Sequence, residues 1–263
     1  MCLKMASRVR RATCPIPSLR DGSGYLTSRS PVKICVLIPA LKPCDRLLRL
    51  IAELLDRQAD LRLLVVNDGS PPQCAPVFEA VARRPQVEVL AHESNLGKGA
   101  ALRTGIRRFL EIAEPDEILI TADADGQHLP EDILAVATVA KNQPNGLVMG
   151  IRSFDNGVPW RSQFGNNLTR RIFQLFTRID LHDTQTGLRA IPRSLLPRLL
   201  EVKANRYSFE LEMLLIASRD RISLVQKPIQ TVYLDGNSDS HFNPVLDSLR
   251  IYWVFVRYLF PFG

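Results

Sequence analysis

Glu117-Ile-Leu-Ile-Thr121-Ala-Asp123-Ala-Asp125-Gly-Gln127-His128 is a mainly apolar run of strand length that ends in two carboxylates two positions apart. In extended chain, side chains at i and i+2 point the same way, so Asp123 and Asp125 face one point and Gln127 follows on that side. One or two carboxylates, completed by substrate phosphates, are the usual holders of Mg2+ or Mn2+ beside a nucleotide. Two exposed turn acids would be the plainer reading; the place at a strand end favours the metal.

Working outward, the same strand-to-turn pattern recurs. The apolar run Ile34-Cys-Val-Leu-Ile38 stops at Pro39, and 61–66 stops at Asn67-Asp68-Gly69-Ser70-Pro71. A third strand spans 87–91, and apolar residues at helical spacing fill 47–55, 73–84 and 97–113 between them. Four short apolar strands alternating with helices predict an α/β fold, a doubly wound and mostly parallel sheet covered by helices on both faces. Such sheets bind ligands at the carboxyl ends of their strands, where Pro39-Ala40, Asn67-Asp68-Gly69, 92–95 and 122–125 lie. Further on, helices are expected near 130–142, 161–179 and 208–218 and from about 244, with strands at 147–151, 188–191 and 222–232.

The chain has 263 residues and a net charge of +7, with an apolar fraction of 46% and a charged fraction of 23%, the range of ordinary globular domains. Residues 1–31 hold six basic residues and one acid, leaving 28 basic and 26 acidic residues behind them. The body therefore carries no charge excess that asks for a polyanion, and nucleic acid is not expected as a partner. The tail lacks the apolar run of a secretory signal and reads as disordered or as an over-extended start, with a transit peptide as the weaker option. Five cysteines without a C-x-x-C pair argue against zinc and a disulfide framework and suit the cytoplasm. The apolar end, 251–262, is too short to span a bilayer; its aromatic and basic mixture suits either peripheral membrane contact or packing on the domain. The domains expected are a tail at 1–31, a catalytic domain at 32–240 and an amphipathic helix at 241–263.

Asn95-Leu-Gly97-Lys98-Gly99-Ala-Ala101 opens a helix, where free N–H groups, glycines and a lysine suggest an anion site. It is not a P-loop, and it lacks the third glycine of the dinucleotide fingerprint. The turn after the first strand has no glycine at all, which disfavours a dehydrogenase.

In this order and at these spacings, the strand ending in Pro-Ala, then V-V-N-D-G-S, N-L-G-K-G-A-A and D-A-D-G-Q-H, resemble the family 2 glycosyltransferases, in particular their polyprenyl-phosphate sugar synthase branch. Gly150-Ile-Arg152, Asp183-Thr-Gln-Thr-Gly187-Leu-Arg189, Arg206 to Glu212 and Pro228 to Tyr233 are similar to later blocks of that branch, so the resemblance covers roughly 33 to 235. It implies a GT-A-type fold and an inverting transfer from a nucleotide-sugar donor to an acceptor, a polyprenyl phosphate at the inner membrane face. It also implies that Asp123, Asp125 and Gln127 hold Mn2+ or Mg2+, that Pro39 and Ala40 line the nucleotide pocket, and that Asp68 contacts the base. Arg152 and Arg161 match arginines that grip phosphate, a task for which the planar guanidinium fork is suited. Lys98 would help to stabilise the leaving diphosphate. The family's Pro-x-x-Asn-Glu block departs here to Lys42-Pro43, with Asp45 as the substitute acid.

A lipid phosphate needs no general base, whereas a hydroxyl acceptor would need one, for which Asp183 and Glu210 are the candidates. The alternatives kept open are a soluble or glycan hydroxyl acceptor, a sugar nucleotidyltransferase, and a nucleotide-sugar-binding protein without catalysis.

Overall fold

An apolar strand with no polar alternation is stable only when both its faces are covered. In the computed structural model, which describes residues 32–152, 160–205 and 208–230 and the side chains of all of these except 160–168, β1 (Ile34–Ala40) is such a strand. Its alternate residues divide between two cores: Cys35 and Leu37 join Ile106, Phe109 and Phe209 on one face, while Ile34, Val36 and Ile38 join Leu47, Ile51 and Leu54 on the other.

The elements follow as α1 (Asp45–Arg57), β2 (Arg62–Asn67), α2 (Ala75–Ala82), β3 (Val87–Ala91), α3 (Lys98–Ile112), β4 (Ile118–Thr121) and α4 (Pro130–Asn142). Then come β5 (Leu147–Arg152), α5 (Trp160–Thr177), β6 (Arg189–Ile191), α6 (Leu196–Leu200), α7 (Ser208–Arg219) and β7 (Leu224–Ile229). Helix α1 illustrates the logic: Leu47, Leu50, Ile51, Leu54 and Leu55 are buried at the i, i+3, i+4, i+7, i+8 spacing of one helical face. Each such leucine contributes about 1.5–3 kcal/mol of burial.

The sheet order is β3-β2-β1-β4-β6-β5-β7. The chain runs outward from β1 to β2 and β3, then returns to lay β4 on the other side of β1, so the order reverses at the β1/β4 junction. In open α/β sheets the ligand crevice lies at such a switch point, outside the carboxyl ends of the strands. All of these strands are parallel except β6, which pairs antiparallel with both β4 and β5. Because β6 runs backwards, its start coincides with the carboxyl ends of its neighbours, and the loop preceding it enters the crevice. The apolar pattern marks this strand but not its direction, and it carries no sign of α6. The expected terminal helix lies outside the described residues, and among those described no helix is long and apolar enough to cross a membrane.

Candidate active site

Asp123 leaves the end of β4 after Ala122, whose N–H extends the β1 pairing by donating to the Leu37 carbonyl at 3.0 Å. Three groups surround its carboxylate. Lys98 Nζ stands 2.5 Å from Oδ1, and His128 Nε2 stands 3.3 Å from Oδ2. On the third side is Gly187, where an added Cβ would lie 2.4 Å from Oδ2; only a glycine leaves room for the carboxylate. Lys98 in turn reaches Glu210 Oε1 at 2.9 Å, so one ammonium bridges the β4 turn to the first turn of α7. Asp125 is exposed at the rim and accepts the Gln127 N–H at 2.9 Å, closing a turn over Gly126 (φ 78°). Gln127 is half-buried beside it.

The loop before β6 supplies the opposite wall. Asp183 is fully buried and accepts two hydrogen bonds from Arg152, Nε to Oδ2 at 2.6 Å and Nη2 to Oδ1 at 3.1 Å, with a third from the Gln185 N–H at 3.0 Å. Arg152, the last residue of β5, is thereby fixed in plane at the crevice edge. Beneath the loop lies Arg189, a fully buried arginine that the sequence reading quoted in a motif but did not single out. Its guanidinium donates to the Thr186, Thr184 and Glu210 carbonyls at 3.0, 3.1 and 2.6 Å, tying the loop to α7. A charged residue inside the short apolar stretch Leu188-Arg-Ala-Ile191 was the signal for it, since a buried charge requires partners.

Asp68, expected from the sequence at a nucleoside base, is engaged inside the chain. Its Oδ1 takes the His92 Nδ1 proton at 2.8 Å and the Leu96 N–H at 2.9 Å, and its Oδ2 takes the Gly97 N–H at 2.9 Å. The carboxylate thus serves as the anion at the start of α3. The Gly99 N–H is also occupied, by the Asn205 carbonyl at 2.9 Å. Two of the donors that a phosphate was expected to meet here therefore have partners in the fold, and Lys98 is turned to Asp123. At the neighbouring strand end, Pro39 and Ala40 close β1, with the Ala40 carbonyl accepting the Asp68 N–H at 2.9 Å. Asp45 is exposed at the start of α1, and Arg161 belongs to α5 in the stretch without described side chains.

The charges sort the two aspartates. Burial opposes ionisation of Asp123, yet the Lys98 ammonium and the His128 ring outweigh it and hold this carboxyl well below the ordinary range. Burial likewise opposes the Lys98 charge, and Asp123 and Glu210 reverse that and raise its pKa. Asp125 goes the other way: desolvation in the crevice and the neighbouring Asp123 charge push it up. A cation beside the pair would restore the ionised form of Asp125. Among the described residues no three His, Cys, Asp or Glu groups enclose a metal position. Two carboxylates that leave the other ligand positions to phosphate and water suit Mg2+ or Mn2+ rather than a metal needing an all-protein cage, so the donor set fits the expected cation.

A mostly parallel sheet whose strand order reverses, with acidic residues at the turn after the returning strand, is the architecture of the GT-A glycosyltransferases, and this enzyme has that fold. The chain belongs to Glycosyl transferase family 2, whose profile matches residues 35–200. It is 29% identical over 221 residues to a UDP-N-acetylglucosamine–dolichyl-phosphate N-acetylglucosaminyltransferase of Methanococcus voltae, covering 77% of this chain and 86% of that one. It is 26% identical over 225 residues to a polyprenol monophosphomannose synthase of Mycolicibacterium smegmatis, covering 81% and 84%. The fold matches that of glucosyl-3-phosphoglycerate synthase from Mycobacterium tuberculosis, crystallised with Mn2+, uridine diphosphate and glucosyl-3-phosphoglycerate, at a TM-score of 0.62 and 18% identity over 86% of this chain and 80% of that one.

Proposed function

We propose that the enzyme transfers a sugar from a nucleotide-diphosphate donor to a polyprenyl phosphate, with Mn2+ or Mg2+ held by Asp123 and Asp125. The observation that carries the choice of acceptor is the pairing of both candidate bases. Asp183 is buried against Arg152, and Glu210 is held on Lys98, so neither is poised to take a proton from a hydroxyl. A phosphate monoester arrives already ionised and needs no base. One of its oxygens attacks the anomeric carbon, the bond from that carbon to the donor diphosphate breaks, and the nucleoside diphosphate leaves with the electron pair. Mn2+ or Mg2+ held by Asp123 and Asp125 would supply positive charge for the diphosphate leaving group. Lys98 keeps Asp123 ionised and in place, and Asp183 orients Arg152, whose guanidinium charge suits the acceptor phosphate. The names of the two relatives, which specify dolichyl phosphate and a polyprenol monophosphomannose product, support the same acceptor class.

The test is a transfer assay over UDP- and GDP-sugars with Mn2+ or Mg2+, offering a short polyprenyl phosphate, the matching dephosphorylated polyprenol and a soluble glycan. Product should form on the phosphate alone and require the metal. Transfer to the glycan or the polyprenol with no use of the lipid phosphate would refute this acceptor.

A further inference from the structure

Behind Asp123 lie two polar atoms that the fold buries without a partner: His128 Nδ1 and Asp132 Oδ2 are the only such side-chain atoms among the described residues. Both residues are more than nine-tenths buried, His128 at 4% exposure and Asp132 at 8%. They stand four positions apart around the entry to α4; burial pushes the Asp132 carboxyl up, against the Gln230 backbone N–H that it accepts. A buried polar atom left unsatisfied costs about 1–3 kcal/mol, so a native fold provides each with a partner.

The hydrogen-bond inventory narrows what that partner is. Asp123 is ionised and accepts only, so His128 Nε2, facing Oδ2 at 3.3 Å, carries the proton. On a neutral ring Nδ1 is then an acceptor, as is Asp132 Oδ2 while that carboxyl is ionised. The donor that joins them is one buried water, the second proton of the ring, or a proton on the Asp132 carboxyl, whose neutral form burial favours.

We infer that His128 and Asp132 are a positioning pair for Asp123: joined through that donor, they form a chain Asp123–His128–Asp132–Gln230 that fixes the carboxylate from behind and ties it to the exit of β7. Neither residue touches the reacting atoms. Lys98 holds one oxygen of Asp123 from the α3 side, and His128 holds the other from the α4 side, so the carboxylate keeps its orientation before the donor binds. The functional consequence rests on the metal–donor reading given above; the pair itself does not.

Two readouts on the full chain separate these. The first needs no ligand: 15N spectra of the histidine rings, with the His128 signals identified by their loss in His128→Gln. Asp132→Asn should shift the His128 Nδ1 resonance, and an unmoved resonance in this variant would overturn the pair. The second is direct Mn2+ affinity by electron spin resonance, with UDP and, separately, GDP present. Asp132→Asn should weaken it about 10-fold, in the range for groups that orient a metal ligand. His128→Gln keeps a donor toward Asp123 and should lose no more than that, and the double variant should be no worse than the poorer single one, because both changes cut one chain. Unchanged Mn2+ affinity in a folded Asp132→Asn, or losses that multiply in the double variant, would overturn the positioning role. A wild-type protein that binds Mn2+ with neither nucleotide would count against the metal–donor reading instead, and the ring spectra would still decide the pair.

Discussion

Lys98 sits between two carboxylates, and its removal leaves both without their cation. Lys98→Met should cost about 3–5 kcal/mol in denaturant unfolding, the range for breaking a buried ion pair on one side. Asp125→Asn is the contrasting change: the residue is exposed and the amide has nearly the same shape. Turnover with Mn2+ should fall by about 100-fold or more, while the thermal midpoint stays within about 2 °C of wild type. The two aspartates also differ in sign with pH. Asp123 has a lowered folded pKa, so its stabilisation is present above the ordinary carboxylate value of about 3.9 and is lost as pH falls toward its own. Asp125 has a raised one, so it takes up a proton first on acidification. Mn2+ affinity should therefore decline on acidification at a pH where circular dichroism still reports an intact fold. The spacing of Asp123 and Asp125 marks them as a candidate pair, but β4 ends at Thr121 and Ala124-Asp125 form a turn, so the extended geometry expected from that spacing is not the one the chain adopts. The roles of Asp68 and Glu210 were not legible, because a carboxylate at a strand end or helix start looks the same in sequence whether its partner is a ligand or the chain itself.

Loops and strand ends carry the next set of consequences. Gly69 has φ 67°, and a Cβ there would meet the Ser94 backbone carbon at 2.1 Å, so the β2 turn and the loop before α3 touch through backbone. Gly187 has a different reason for its size, the Asp123 carboxylate. Gly187→Ala should therefore reduce Mn2+ affinity at least about 10-fold with a modest stability change, because the obstacle is a side chain that is able to swing aside. Asp68→Ala should act in the opposite proportion. It strands the Leu96 and Gly97 N–H groups and His92, which should cost about 3 kcal/mol or more in unfolding free energy. Element identities followed from periodicity: the seven strands and the longer helices of the described residues lie where the apolar spacing put them. Direction did not, since three residues of β6 read the same forwards and backwards. Helix α6 escaped because five residues, preceded by Pro192 and containing Pro197, show no helical period.

At the scale of the whole molecule, the proposed lipid acceptor requires the enzyme to reach a membrane surface, and 249–263 is the segment whose aromatic and basic residues suit it. Removing these residues should abolish co-sedimentation with anionic liposomes, provided the shortened chain retains its circular dichroism spectrum. Full-length protein that never sediments with such liposomes would count against membrane contact without touching the assignment to family 2. The α/β class, the mostly parallel sheet and the family are legible in the amino-acid sequence, because strand and helix periods are local and a motif order survives without coordinates. Only the tertiary structure decided which charges meet. Lys98, Asp123 and Glu210 come from three separate elements, and Arg152 and Asp183 are 31 positions apart. Whether such a carboxylate is a base, a ligand or an anchor depends on the cation placed within hydrogen-bonding distance. That placement follows from the reversal of strand order at β1/β4 and from the backward run of β6, which bring distant segments to one crevice.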